Sequence, residues 1–129
     1  MKEMIKTLSL EEEFFTPEKC HIIELSNTEN DPEASIARAR VEPGVTTRWH
    51  RLKNTTERYH IISGHGLVEL GQLSPQQVSA GDTVLIPPMC RQRISNTGSD
   101  DLIFLAICTP RYTDAAYEDI EQMSATNSE

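Results

Sequence analysis

Cysteine is scarce in this chain: the three present, Cys20, Cys90 and Cys108, stand far apart and form no CxxC pair. That spacing excludes a disulfide framework and a zinc knuckle, and leaves three free thiols. An excess of positive charge is also missing. Acidic residues outnumber basic ones 20 to 12, and the formal net charge is −8. Phosphate backbones and anionic lipid surfaces attract a basic face, so no nucleic-acid or membrane partner is expected, and the acidic balance serves solubility. No apolar run approaches the roughly 20 residues of a membrane span. The opening MKEMIKTLSLEEEFF lacks the apolar core of a secretory signal, which makes a cytoplasmic protein the expectation. Internal repeats and low-complexity tracts are absent as well. At 129 residues, the length is that of one domain, 1–129, with one core.

What the sequence does contain is a rhythm of short strands. Cys20 to Leu25 (CHIIEL) reads as a strand closed by the turn formers of Ser26 to Pro32. From Ile36 to Val41, Arg38 and Arg40 fall on one face and Ala37, Ala39 and Val41 on the other, the pattern of a half-buried strand ended by Pro43 and Gly44. Further strands are predicted at Thr46 to His50, Glu57 to Ile62, Leu67 to Leu70, Thr83 to Ile86, Gln92 to Ser95 and Leu102 to Cys108, each bounded by Gly, Pro, Asn or Asp. One segment reads differently: TDAAYEDIEQM, with Thr113 or Asp114 as N-cap and Ala116, Tyr117, Ile120 and Met123 along one stripe, predicts a helix. The closing SATNSE is expected to fray. The class is all-β.

Chemistry concentrates between Gly44 and Gly64. His50 and Glu57 flank the turn-forming LysAsnThrThr, so an imidazole and a carboxylate can end two adjacent strands and face one cavity. If Glu57 points inward, alternation sends Tyr59 and Ile61 inward too and turns Arg58 and His60 away. The same rule puts Arg48 on the His50 face and turns His60, Ile62 and Trp49 outward. Arg48 and Tyr59 are therefore candidate ligand-binding residues for an anionic or hydroxylated molecule. Their structural alternatives are an ion pair with Glu57 and a half-buried core tyrosine. Cys90 reads as an apolar filler at the barrel mouth, or as a reactive thiol should a cation lower its pKa. Glu11 to Glu13 read as a solvated edge beside two anchoring aromatics, Phe14 and Phe15.

Two segments resemble the paired motifs of the cupin superfamily. Gly44, His50, Glu57 and Gly64 fall on the first motif, and Gly81, Pro87 and Asn96 of GDTVLIPPMCRQRISN fall on the second. The resemblance covers about Ile36 to Pro110 and implies a double-stranded β-helix, a jelly-roll barrel. The barrel core then lies at about 36–110, between an N-terminal segment, 1–35, and a short C-terminal helix and tail, 111–129. It also implies a divalent metal, iron, manganese, nickel or zinc, beside a small-molecule ligand. The chain departs from the pattern where Leu52 and Gln92 replace two of the four usual ligands and Met89 replaces a glycine. His50, Glu57 and Gln92 remain as the metal set, one nitrogen and two oxygens. Oxygenase, isomerase and lyase chemistry all remain open, with a metal-free binding module built on Glu57, Tyr59 and Gln92 as the alternative. Small cupins commonly pair, and the Arg face of Ile36 to Val41 together with the outward Trp49, His60 and Ile62 leads us to expect a homodimer.

Overall fold

Alternation with period two builds the molecule. Every second residue of the Thr56–Ser63 strand is buried through Ile61, so Glu57, Tyr59 and Ile61 point inward. Gln92, Ile94 and Asn96 do the same in Gln92–Asn96. The computed structural model describes residues 1–123. Its strands are β1 (Phe14–Phe15), β2 (His21–Ser26), β3 (Ser35–Val41), β4 (His50–Leu52), β5 (Thr56–Ser63), β6 (His65–Leu70), β7 (Gln76–Ser79), β8 (Thr83–Ile86), β9 (Gln92–Asn96), β10 (Leu102–Thr109) and β11 (Tyr117–Asp119). They form two antiparallel sheets, one in the order β1-β2-β3-β10-β5-β8 and the other in the order β11-β4-β9-β6-β7. The fold is an all-β cupin jelly roll. Ile61, Ile86, Ile94, Leu102 and Val41 fill the space between the sheets and are almost fully buried. Burying a side chain of that size contributes about 1.5–3 kcal/mol, which makes this layer the main stabilising feature.

Motif positions fix the corners. Gly64 turns β5 into β6 at φ +92, and a Cβ there would lie 2.7 Å from the Asp101 carbonyl oxygen, so no other residue fits. Met89, at the position of the missing motif glycine, is held at φ +66. It keeps the left-handed turn with a side chain that disfavours it. Asn96 is buried and fastens two segments: its amide donates to the Val41 and Asp100 carbonyls at 2.8 Å, and its Oδ1 accepts the Gly98 N–H.

Several expectations change. The helix over TDAAYEDIEQM gives way to a single 3₁₀ turn, Asp114–Ala116, followed by β11. Helical structure begins at Glu121. The open edge of β4 explains this, since Tyr117 and Asp119 pair with Leu52 and His50, and ladder pairing outweighs the helical stripe. Residues 124–129, where fraying was expected, lie outside the described residues. The strand expected at Thr46 to His50 begins instead at His50, with Thr46 making an isolated bridge to Ser95. Strands β1, β7 and β11 add to the strands predicted from the sequence.

Outer residues also differ from expectation. Trp49 is 7% exposed, lying beneath the guanidinium groups of Arg91 and Arg93 at 4.0 and 4.5 Å from its ring, and so it does not join an outward patch. Glu13 is engaged rather than solvated: it binds Arg40 at 2.6 Å and Arg38 at 3.3 Å, neutralising the Arg face of β3 within the chain. Phe14 and Phe15 are 49% and 60% exposed and form an edge strand instead of anchoring into the core. Among the described residues, no helix is long and apolar enough to cross a membrane.

Candidate functional site

At one end of the barrel, the N-terminal strand, β3, β10 and the chain after β10 enclose a cavity of about 410 Å³. His50, Leu52 and Glu57 reach it from inside the barrel, and Glu18, Cys108 and Tyr117 complete the wall around them.

His50 is 2% exposed and fixed from behind. Its Nδ1 lies 2.9 Å from the Arg48 carbonyl, which only accepts, so Nδ1 carries a hydrogen and Nε2 is the reactive nitrogen. Nε2 faces the Glu18 carboxylate at 3.2 Å, and Tyr117 stacks on the ring with centroids 5.3 Å apart. Glu18 gives no signal in the sequence. It is delivered by a tight turn in which Thr16 bonds the Cys20 carbonyl through both N–H and Oγ1, while the Glu18 carbonyl accepts the Arg48 N–H.

Glu57 comes from the opposite sheet and is 8% exposed. The Gln92 amide nitrogen donates to its Oε1 at 2.9 Å, and the Cys108 thiol, directly across the ladder, approaches Oε2 at 3.8 Å. Burial pushes the Glu57 carboxyl up to about 7. The like charge of Glu18 adds to the rise, while His50, Gln92 and Cys108 oppose it. Behind Gln92, the Tyr59 hydroxyl donates to Oε1 at 2.6 Å, completing a chain from Tyr59 through Gln92 to Glu57. The Tyr59 hydroxyl is held well above its ordinary range by burial and by the charge of Glu57, so it remains a donor.

His50, Glu57 and Gln92 do come together: His50 sits opposite Gln92 across β4 and β9, and Gln92 bonds Glu57. The roles differ from those that the motif implies. Gln92 is 1% exposed and does not line the cavity, with its amide engaged at both ends. Tyr59 does not reach the cavity either, and acts through Gln92 while packing on Phe104 at 4.4 Å. Arg48 turns outward and pairs with Asp119 at 2.5 Å, so neither a ligand in the cavity nor Glu57 is its partner. The loop before β4 breaks the alternation on which the placement of Arg48 rested. Cys90 is partly buried against the core, and burial raises its thiol despite Arg91 nearby, so the cation does not lower it as a reactive thiol requires.

Cupins, whose motifs this chain resembles, commonly hold a divalent metal. The residues here do not fit one. Leu52 offers no donor, the Gln92 oxygen accepts from Tyr59, and Glu57 Oε1 accepts from Gln92. Among the described residues, no group of three or more His, Cys, Asp or Glu side chains is arranged to hold an ion.

Residues 37–108 match the cupin domain family Cupin_2, and the chain belongs to that family. A protein of Methanocaldococcus jannaschii described as the uncharacterized protein MJ1618 is 36% identical over 87 residues, covering 67% of this chain and 66% of that protein, just under two thirds of its length. The fold is shared with Pac13, a nucleoside dehydratase of Streptomyces, at a TM-score of 0.75 and 18% identity over 93% of this chain and 92% of that one. KdgF from Halomonas superposes at 0.70, with 16% identity over 80% and 91% of the two chains. Oxalate decarboxylase from Lactobacillus farciminis superposes at 0.72, with 20% identity over 88% of this chain and 35% of that one.

Proposed function

We propose that the chain binds a small polar molecule in the cavity and acts on it as a lyase or isomerase by proton transfer between His50 and Glu57, without a metal. The observation that carries this is the pairing of two proton carriers that line the same cavity, each fixed from behind: His50 by the Arg48 carbonyl, with its Nε2 meeting Glu18, and Glu57 by Gln92. A base and an acid so held satisfy the geometric requirement of general acid–base catalysis. With its carboxyl raised to about 7, Glu57 keeps a substantial protonated fraction near neutrality that can donate, while the imidazole accepts and Glu18 stabilises the imidazolium that forms. In an elimination, the C–H proton passes to His50 Nε2, the C–O bond breaks as a C=C bond forms, and Glu57 protonates the departing hydroxyl to release water. In an isomerisation, the same two groups remove and return protons on neighbouring atoms. A dehydratase on a similar barrel supports the first reading through fold alone. Three unpaired cysteines support a reducing compartment, the cytoplasm.

The test is turnover of a panel of hydroxylated carbonyl compounds, sugars and nucleosides, with water loss or isomer exchange followed by mass spectrometry and NMR in excess chelator. Turnover should survive the chelator and fall by roughly 100-fold or more in both His50→Gln and Glu57→Gln. Activity abolished by chelation and restored by iron, manganese, nickel or zinc would overturn the metal-free mechanism. A ligand that binds without turnover would make the chain a binding module.

A further inference from the structure

The cavity wall carries charge of one sign. Besides Glu18 and Glu57, Glu24 of β2 and Asp114 of the 3₁₀ turn open onto it, and among the described residues no lysine or arginine does. Among the described residues, His50 is the one lining side chain able to hold a positive charge, and its Nε2 already faces Glu18. Arg111 exerts some attraction on Glu24 but stands outside the lining, and Arg48 is turned away onto Asp119. The charge of Asp114 adds to the desolvation that raises the Glu24 carboxyl, while both residues remain exposed to solvent. Two carboxylates that repel across a half-enclosed space are relieved by a cation placed beside them.

The rest of the wall suits the same guest. Phe14 and Phe15 form the rim, and Tyr112 and Tyr117 stand further in. Aromatic faces attract organic cations and also bury hydrocarbon. An anion would meet the carboxylates of Glu18, Glu24 and Asp114, with no lysine or arginine among the described lining residues to offset its desolvation.

On the reading of this cavity as the functional site, we propose that its ligand is a small organic cation, a protonated amine or amidine. Its charge rests at Glu24 and Asp114, and its carbon frame lies against Phe14, Phe15 and Tyr117. Its far end then meets His50 and Glu57. This deepens the acid–base assignment by giving the substrate a charge, and it replaces the anionic or hydroxylated ligand that an inward Arg48 would have held.

The experiment compares three probes of similar length on the full chain at low ionic strength: 1,4-diaminobutane, 1,4-butanediol and succinate, each by titration calorimetry and thermal shift. The diamine is expected to bind and raise the melting temperature, and the diol and the dicarboxylate to do neither. Glu24→Gln combined with Asp114→Asn should weaken diamine binding about ten-fold or more, as should about 0.5 M salt, which screens these charges. Phe15→Leu, which leaves every charge in place, should weaken it less, and a circular dichroism spectrum unchanged from wild type certifies the fold of each variant. Three outcomes overturn the proposal: stronger binding of the diol or succinate, no binding of any probe, or unchanged diamine binding by the folded double variant. A neutral substrate whose turnover is lost in Glu57→Gln would remove the cation assignment and leave the His50–Glu57 mechanism standing.

Discussion

Replacing Glu57 with glutamine tests the central electrostatic claim through stability, with no substrate needed. The carboxyl titrates at about 7 when folded, against an ordinary value of 4.5. Below 4.5 both the folded and unfolded chains hold the proton. Between 4.5 and 7 the unfolded chain has released it while the folded chain retains it, so stability falls as pH rises, and above 7 the loss is complete. One pKa unit corresponds to about 1.36 kcal/mol, so the whole change is about 3 kcal/mol. Glutamine carries no titrating proton, and its oxygen still accepts the Gln92 amide. The stability of the variant relative to wild type should therefore swing by about 3 kcal/mol in the variant's favour between about pH 4.5 and 8. Glu24, also raised by burial, titrates in both proteins and drops out of the difference. Urea unfolding at closely spaced pH values measures it. Stability curves that run parallel for the two proteins across that window would show that Glu57 ionises as freely as in water, and the proton-donor role would go with it.

Further outcomes follow from neighbouring residues. Tyr59→Phe leaves the Gln92 Oε1 without its donor at a buried position and should cost about 1–3 kcal/mol in urea unfolding, with a change below about 0.5 showing that the Tyr59–Gln92–Glu57 chain is not formed. Met89→Gly removes the disfavoured left-handed side chain, which is 48% exposed and makes little packing. It should stabilise by up to about 1 kcal/mol, whereas a loss would mean that the Met89 side chain contributes more than its backbone costs. Ile62 and Leu85, 48% and 68% exposed on the outside of β5 and β8, support the expected homodimer, so light scattering should give twice 14.5 kDa and Leu85→Lys should return the chain to a single-copy mass. A single-copy mass for the wild type would dismiss that assembly.

The barrel was readable in advance because its strands alternate cleanly: Glu57, Tyr59 and Ile61 inward, Arg93 and Ser95 outward, with glycines at the corners. What was not readable lacks that pattern. Strand β7 is Gln-Gln-Val-Ser with two exposed glutamines, and it exists because Gly66 to Val68 offers it a ladder. Tyr117 carries a helical stripe that the open edge of β4 overrides. In the site, the inward positions of His50, Glu57 and Gln92 could be read from spacing, but spacing says nothing of which atoms are already bonded. The direction of the Gln92 amide is set by Tyr59, a residue on another strand, and Glu18 arrives on a turn with no motif at all.

Eleven of the seventeen residues lining the cavity lie outside 37–108, the stretch that matches the cupin family. The matched stretch supplies His50, Leu52 and Glu57 at the inner end, while the segments before and after it supply Glu18, Glu24, Asp114 and all four aromatic rings. Family membership therefore accounts for where the proton carriers stand, and the flanks determine what can reach them. Without the turn from Thr16 to Cys20, His50 would lose the carboxylate that faces its Nε2. Without the 3₁₀ turn and β11, it would lose the stacked ring of Tyr117 and the cavity would lose Asp114. The same barrel interior placed between other flanks would present the same acid and base to a different molecule, which is why the fold by itself does not select the reaction.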